Sequence, residues 1–375
     1  MKRVIIIAGE SSGDLHGSAL MRQMKSLVPD IEFMGIGGSL MIKENLKAIR
    51  HVHEMNFMGL TEIVCHLPFI YRTLRDLKSL INSWQPHLVI LIDYPGFNFK
   101  FAPIVKQYNI PIMYYISPQL WAWHKRRISM IKKYVNRMVV FFDFEREFYR
   151  CYGIEADFVG HPLLDLIHLS ETKKSFRNSL GVDENTFLIG LFPGSRMQEI
   201  ERIFPPMVES IRLLKKMIGS ITVVTGCAPE IDDGVFMRYI KNKDIIILRG
   251  KVYDIMAHSD ALVVTSGTAT LEAGILGTPM VIVYRTSLLT YLMGRAVVKI
   301  SNMGLINIVA GSKIVPELCQ HEVTPENISA IVEKLLVEPQ LRDKIKHALE
   351  IAKNKLGTPG ASNRAAHIAL DLMKT

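Results

Sequence analysis

Four short segments of this 375-residue chain join a turn of small residues to one or two polar side chains, the raw material of an anion seat or a general base. The first is Gly9-Glu10-Ser11-Ser12-Gly13-Asp14, after the apolar run Val4–Ala8. Its glycines permit a tight turn, and the N–H groups of a helix starting there can face an anion or sugar hydroxyls. The plainer use is a helix cap with Ser12 or Asp14 as the capping side chain. No Gly-Lys-Ser/Thr follows, so it is not a Walker loop, and neither it nor Gly35-Ile36-Gly37-Gly38 fits a dinucleotide fingerprint.

The second segment is Asp93-Tyr94-Pro95-Gly96, which closes the apolar run Leu88–Ile92. A carboxylate at the end of a parallel strand stands where open α/β sheets bind ligands. An Asx-turn is the alternative. No acidic residue lies between Asp93 and Asp143, whereas Lys100, Lys106, Lys125, Arg126, Arg127, Lys132, Lys133 and Arg137 all do. A carboxylate among cations is expected to stay ionised and to take up a proton as a general base. Asp14 is its rival for that role.

The third segment is Pro193-Gly194-Ser195-Arg196. Gly194 allows close backbone approach, and the Arg196 fork suits a diphosphate, although a Pro-Gly turn also has a purely structural use. The fourth is Thr265-Ser266-Gly267-Thr268, where a strand stops and a helix opens with its N–H groups exposed, a phosphate seat. Glu272, about one turn further on, is placed to accept hydrogen bonds from two ribose hydroxyls. A carboxylate serving only the helix dipole would do better nearer the helix start.

The elements that carry these segments alternate between short β-branched runs and longer amphipathic stretches, the pattern of parallel α/β domains. Strands are expected at 4–8, 32–36, 87–92, 110–116, 138–142 and 156–159, then at 187–192, 221–225, 244–248, 260–264 and 279–284. Apolar residues at 200, 203, 204, 207, 208, 211 and 214 predict a helix over 200–218. The alternation pauses over the polar stretch 160–185, and beyond Thr324 only helices are expected. Two Rossmann-like domains follow, 1–165 and 185–340, with C-terminal helices at 341–375 that can pack back on the first.

Composition narrows the rest. Hydrophobic residues make up 49% and charged residues 22%, which excludes a disordered or fibrous chain. The 4 cysteines include no C-x-x-C pair, which suits a reducing compartment. No run approaches the ~18 apolar residues of a spanning helix, and Val4–Ala8 is too short for a signal sequence. A cytoplasmic protein is therefore expected. The net charge of +9 favours anionic partners. Residues 1–170 hold 20 Lys+Arg against 15 Asp+Glu and 171–375 hold 25 against 21, so neither half is a nucleic-acid-binding module by charge, and no RNP-like aromatic pattern is present. Without H-E-x-x-H or an Asp-x-Asp pair, neither a metal nor another cofactor is expected.

Gly9-Glu-Ser-Ser-Gly-Asp14, Ile92-Asp-Tyr-Pro-Gly-Phe-Asn98, Ser117-Pro-Gln-Leu-Trp-Ala-Trp123, Val159-Gly-His-Pro-Leu163, Leu191-Phe-Pro-Gly-Ser-Arg196 and Ser266-Gly-Thr-Ala-Thr-Leu-Glu272 occur in this order. Together they closely resemble the lipid-A-disaccharide synthase family of GT-B glycosyltransferases over essentially the whole chain. Gly96 stands where many members carry a second acidic residue, which leaves Asp93 as the carboxylate of that turn. The resemblance implies two Rossmann-like domains with parallel sheets facing across a cleft, and a helical C-terminus. It implies an inverting transfer from UDP-2,3-diacylglucosamine to the 6-hydroxyl of 2,3-diacylglucosamine 1-phosphate (lipid X), releasing UDP.

By the same resemblance, Ser12, Gly194, Ser195, Arg196, Ser266, Gly267, Thr268, Glu272 and Asn307 belong to the substrate site, and Asp14 and Asp93 face the acceptor. Other lipid-linked sugar transferases and UDP-sugar epimerases are the alternative. Acylated substrates imply docking at the cytoplasmic face of the inner membrane. The candidate surface is Phe57 and Met58 with Phe69, Arg72, Arg75 and Lys78 on the helix after Pro68, although a solvated charged helix face would look the same. Homodimer formation stays open.

Overall fold

A computed structural model describes residues 1–55, 66–118, 120–121, 127–227, 231–240, 245–287, 291 and 302–374. The chain divides into two compact units, Met1–Asp165 with Leu356–Thr375, and Leu166–Lys355.

Among the described residues unit 1 holds seven strands, β1 (Lys2–Ala8), β2 (Ile31–Gly37), β3 (Leu46–His51), β4 (Leu88–Ile92), β5 (Ile112–Tyr115), β6 (Arg137–Val140) and β7 (Ala156–Phe158). They form one parallel sheet in the order β3-β2-β1-β4-β5-β6-β7. Both faces are covered, as a parallel sheet requires. Val4, Ile6 and Ala8 of β1 pack with Leu20, Met21 and Met24 of the helix Ser11–Leu27 and with Ala361, Ala365, Ala366 and Ala369 of the last helix, Ala361–Leu372. Ile5 and Ile7 point the other way, toward Ile70, Leu74, Leu77 and Ile81 of the helix Leu67–Trp84 and Phe97 and Phe101 of the helix Pro95–Lys106. Strand alternation thus builds two cores from one strand.

Unit 2 holds β8 (Phe187–Phe192), β9 (Ile221–Cys227), β10 (Ile246–Arg249), β11 (Ala261–Thr265), β12 (Met280–Tyr284) and β13 (Glu317–Cys319), in the order β10-β9-β8-β11-β12-β13. The helix Met197–Ile218 follows β8, and every residue of its expected apolar stripe is buried.

The segment expected at 341–375 is split between the units. The helix Pro339–Asn354 lies in unit 2, where it packs on the helices Thr268–Ile275 and Leu305–Ala310. Only Leu356 onward belongs to unit 1, where the small alanine face of the last helix lets it approach the helix Ser11–Leu27. Asp165 caps that last helix by accepting from the N–H groups of Gly360 at 2.6 Å and Ala361 at 3.1 Å.

In each sheet the strand order reverses beside the first strand of its unit: between β1 and β4, and between β8 and β11. Ligands of open α/β sheets bind at such points, at the carboxyl ends of the strands.

Candidate active site

In unit 1 the two carboxylates offered as the base have different surroundings. Asp14 is only 6% exposed, and its carboxylate accepts from the N–H groups of Gly38 at 2.7 Å, Leu40 at 3.0 Å and Met41 at 3.0 Å. It caps the neighbouring helix Ser39–Lys43 rather than its own, whose N-cap is Glu10. Ser12 lies exposed in the first turn of the helix Ser11–Leu27.

Asp93 closes β4 in a different state. It and Tyr94 both adopt left-handed backbone, with φ of 40° and 44°. Such values are costly for residues with a Cβ and persist only where their surroundings hold them. The carbonyl of Asp93 accepts from the Asn98 amide at 2.6 Å and from the Tyr114 hydroxyl, and the Tyr94 hydroxyl donates to the Met55 carbonyl at 2.7 Å. The Tyr94 ring lies where a Cβ on Gly9 would sit, 2.2 Å away, so only glycine fits at the end of β1. Burial first, and the negative charge of Glu10 second, push the Asp93 carboxyl up to about 7, against the pull of the Tyr94 N–H.

The expected cationic surroundings of Asp93 are not what tunes it. Lys100 lies over the Tyr71 ring, Arg127 over Phe99 and Lys133 over Tyr134. Arg137 is paired with Asp157, and Lys132 donates to the Tyr152 carbonyl. Neighbours in sequence, Lys100, Lys106, Lys132, Lys133 and Arg137 stand on the exposed sides of elements whose apolar residues pack into the sheet. Lys125 and Arg126 lie outside the described residues.

Two further motifs serve the framework of this edge. Trp121 donates to the buried Glu145 at 3.2 Å, and burial pushes that carboxyl up to about 8. His161 sits against Phe141 and Phe142, and burial lowers it to about 3, with a further push from His16. Trp123 lies outside the described residues.

In unit 2 the third and fourth segments meet. Phe192, Gly226 and Cys227, and Thr265 bring the carboxyl ends of β8, β9 and β11 to a pocket of about 400 Å³. Gly194, Ser195, Arg196, Ser266, Gly267, Thr268 and Glu272 all line it. Gly194 has φ of 110°, and a Cβ there would meet a Glu199 carboxylate oxygen at 2.3 Å. Glu199 accepts from the Ser195 N–H at 3.2 Å and lies 3.8 Å from the Arg196 guanidinium, whose side chain is 66% exposed. The helix Thr268–Ile275 opens at Gly267, whose carbonyl accepts from the Thr270 N–H at 3.2 Å, and the N–H groups of Thr268 and Ala269 have no intrahelical acceptor. Ser266 bonds the Met303 carbonyl at 2.7 Å and so ties the seat to the chain before the helix Leu305–Ala310. Burial raises the Glu272 carboxyl, while the Tyr253 hydroxyl, donating at 3.3 Å, pulls it back.

Asn307 does not line that pocket. Its amide donates to the Val315 carbonyl and the Glu317 carboxylate, and its oxygen accepts from the N–H groups of Ile314 and Val315. Both ends of the side chain hold the loop into β13. Glu10, Glu199 and Tyr253 join the site through the tertiary structure. Glu10 stands in the first glycine-bounded segment, Gly9–Asp14, whereas nothing local marks Tyr253. Among the described residues, no three His, Cys, Asp or Glu gather where they could hold a metal ion.

Residues 4–372 match the family described as Lipid-A-disaccharide synthetase. The chain belongs to that family. It is 40% identical to the lipid-A-disaccharide synthase of Geobacter metallireducens, over 99% of this chain and 97% of the relative. It is also 40% identical to that of Syntrophus aciditrophicus, over 100% and 98%. The family makes it a glycosyltransferase of lipid A disaccharide synthesis, with a nucleotide-sugar donor and a lipid acceptor. Solved structures share the fold. A putative UDP-N-acetylglucosamine 2-epimerase from Listeria monocytogenes superposes with a TM-score of 0.67 at 15% identity, covering 100% of this chain and 98% of its own. The calicheamicin glycosyltransferase CalG4 gives 0.64 at 14% identity, with the same coverage. The architecture is GT-B-like, two parallel-sheet α/β units.

Proposed function

We propose that this enzyme transfers the sugar of UDP-2,3-diacylglucosamine to the 6-hydroxyl of lipid X, with inversion, giving the β-1′,6-linked disaccharide 1-phosphate and UDP. One observation carries the assignment of the base. Of the two carboxylates that are candidates for the base, Asp14 is occupied by three backbone donors, whereas Asp93 has a proton affinity poised near neutrality. A base is most effective when its pKa lies near the working pH.

Asp93 takes the proton of the acceptor hydroxyl as the new C–O bond forms and the bond to UDP breaks. The departing diphosphate is received by the helix N-terminus at Gly267–Thr268, with Ser266 beside it, and by Arg196. Gly194 and Ser195 shape the turn that presents Arg196. Glu272 accepts the ribose hydroxyls.

The acyl chains of both substrates require docking at a membrane surface, here the cytoplasmic face of the inner membrane. Among the described residues no helix is long and apolar enough to cross a membrane. Arg72, Arg75 and Lys78 are exposed on the helix Leu67–Trp84, opposite its buried stripe. Phe69 lies under the Arg50 guanidinium, 5.6 Å from it, while Tyr71 is 63% exposed and is the better membrane-facing ring. Phe57 and Met58 lie outside the described residues. The deciding assay is UDP release that requires lipid X. UDP released without acceptor, or turnover retained in Asp93→Asn, would refute the reading.

A further inference from the structure

The helix Val252–His258 borders the unit 2 pocket through Val252 and Met256. Next to Val252, Tyr253 directs its hydroxyl onto Oε1 of Glu272, 3.3 Å away. We propose that Tyr253 is a positioning residue: by holding one oxygen of Glu272 it aims the other at the nucleotide ribose, and so sets the preference for a ribonucleotide donor. This rests on the reading of Glu272 as the ribose acceptor.

Rigidity supports the assignment. Asp254, on the same helix, accepts from the Ser170 N–H at 2.9 Å, the Ser170 hydroxyl at 2.6 Å and the Glu171 N–H at 2.9 Å. His258, one turn on, is bonded to the Glu171 carbonyl at 2.9 Å. Lys251, just before the helix, pairs with the Glu171 carboxylate, so the helix is pinned on both sides of Tyr253 and the hydroxyl is delivered by a fixed element. A precise carboxylate is worth most when its support is fixed too. Charge supports it as well. Burial favours the neutral form of Glu272, which would lose acceptor capacity, and the tyrosine proton opposes that. Tyr253, raised to about 12 chiefly by burial, remains a donor at working pH.

The test is calorimetric titration of the full-length protein with UDP, 2′-deoxy-UDP and 3′-deoxy-UDP. Wild type is expected to bind UDP roughly 10-fold or more tighter than at least one deoxy probe, because a site built for a hydroxyl leaves a polar group unpaired when it is missing. Glu272→Gln should remove most of that preference. Tyr253→Phe should weaken UDP by roughly 3- to 10-fold and the discriminated deoxy probe hardly at all, and the double variant should be no worse than Glu272→Gln alone. In turnover, Tyr253→Phe should raise the donor KM more than it lowers kcat. Tyr253→Met repeats the test if the Phe variant does not fold. Equal weakening of all three probes, or no weakening, while Glu272→Gln abolishes the preference, would overturn the role of Tyr253 and leave that of Glu272 standing. A preference that survives Glu272→Gln would overturn both.

Discussion

The ligand-side edges of the two sheets share a topology and differ in almost everything the edge presents. At the unit 1 edge the decisive group is half-buried, held by a left-handed backbone and shadowed by a like charge, so a carboxyl that would ordinarily titrate near 4 does so at about 7. At the unit 2 edge the decisive groups are open: Gly267 and Thr268 are exposed, and Arg196 extends toward solvent. Proton transfer needs a shifted pKa, which only desolvation and neighbouring charge supply. Anion binding needs vacant N–H groups and a cation, which burial would compromise. One scaffold serves both needs because the strand ends fix where a loop starts and leave its content free.

The largest expected effect tests the buried edge. Asp93→Asn should lower kcat by about 10²–10⁴ with the fold intact. Asp14→Asn should instead lower the unfolding free energy by about 1–3 kcal/mol in a denaturant titration, because a charged acceptor of three N–H groups is lost. Near-normal kcat in the first variant, or a collapse of kcat at normal stability in the second, would reverse their roles.

The open edge comes next. Arg196→Ala should cost about 2–4 kcal/mol in kcat/KM, the scale of a preorganised donor lost in a transition state. Arg196→Lys should recover only part, since the fork is gone. Full recovery would show that a point charge suffices. A third surface, the exposed basic face of the helix Leu67–Trp84, should act additively. At about 1 kcal/mol per basic residue, Arg72→Glu/Arg75→Glu/Lys78→Glu should reduce sedimentation with anionic vesicles by roughly 100-fold or more at low salt. Unchanged binding would move docking elsewhere.

The smallest effect sharpens the contrast. If Asp93 must be ionised to act, kcat/KM should rise with pH through about 7 and level off above it. Glu10→Gln removes a like charge that opposes ionisation, so the rising limb should move to lower pH. A limb that stays in place would assign the shift to burial alone.

Much of the frame is legible without coordinates. Each of the eleven expected strands overlaps an observed one: nine are central parallel strands, whose apolar runs announce themselves, and two, β7 and β10, lie at sheet edges. The two unread strands, β3 and β13, are edges. Leu46-Lys-Ala-Ile-Arg-His51 carries charge on its open side, and Glu317-Leu-Cys319 is three residues long, so their strand character comes from β2 and β12 beside them. The glycine and proline turns of the third and fourth segments are likewise visible, since local backbone demands leave residue-level marks.

What the sequence by itself determined is therefore the α/β alternation, the turns after the strands and the family to which the motifs belong. All are written in contiguous residues. Only the tertiary structure decided how the polar groups are spent. Asp14 serves Gly38, Leu40 and Met41, and Asn307 serves the loop at Ile314–Glu317. The cations after Asp93 turn away from it, while Glu10, more than eighty positions earlier, raises its proton affinity. Hydrogen bonding and charge act through distance in space, and the distances that count here join residues the chain keeps apart.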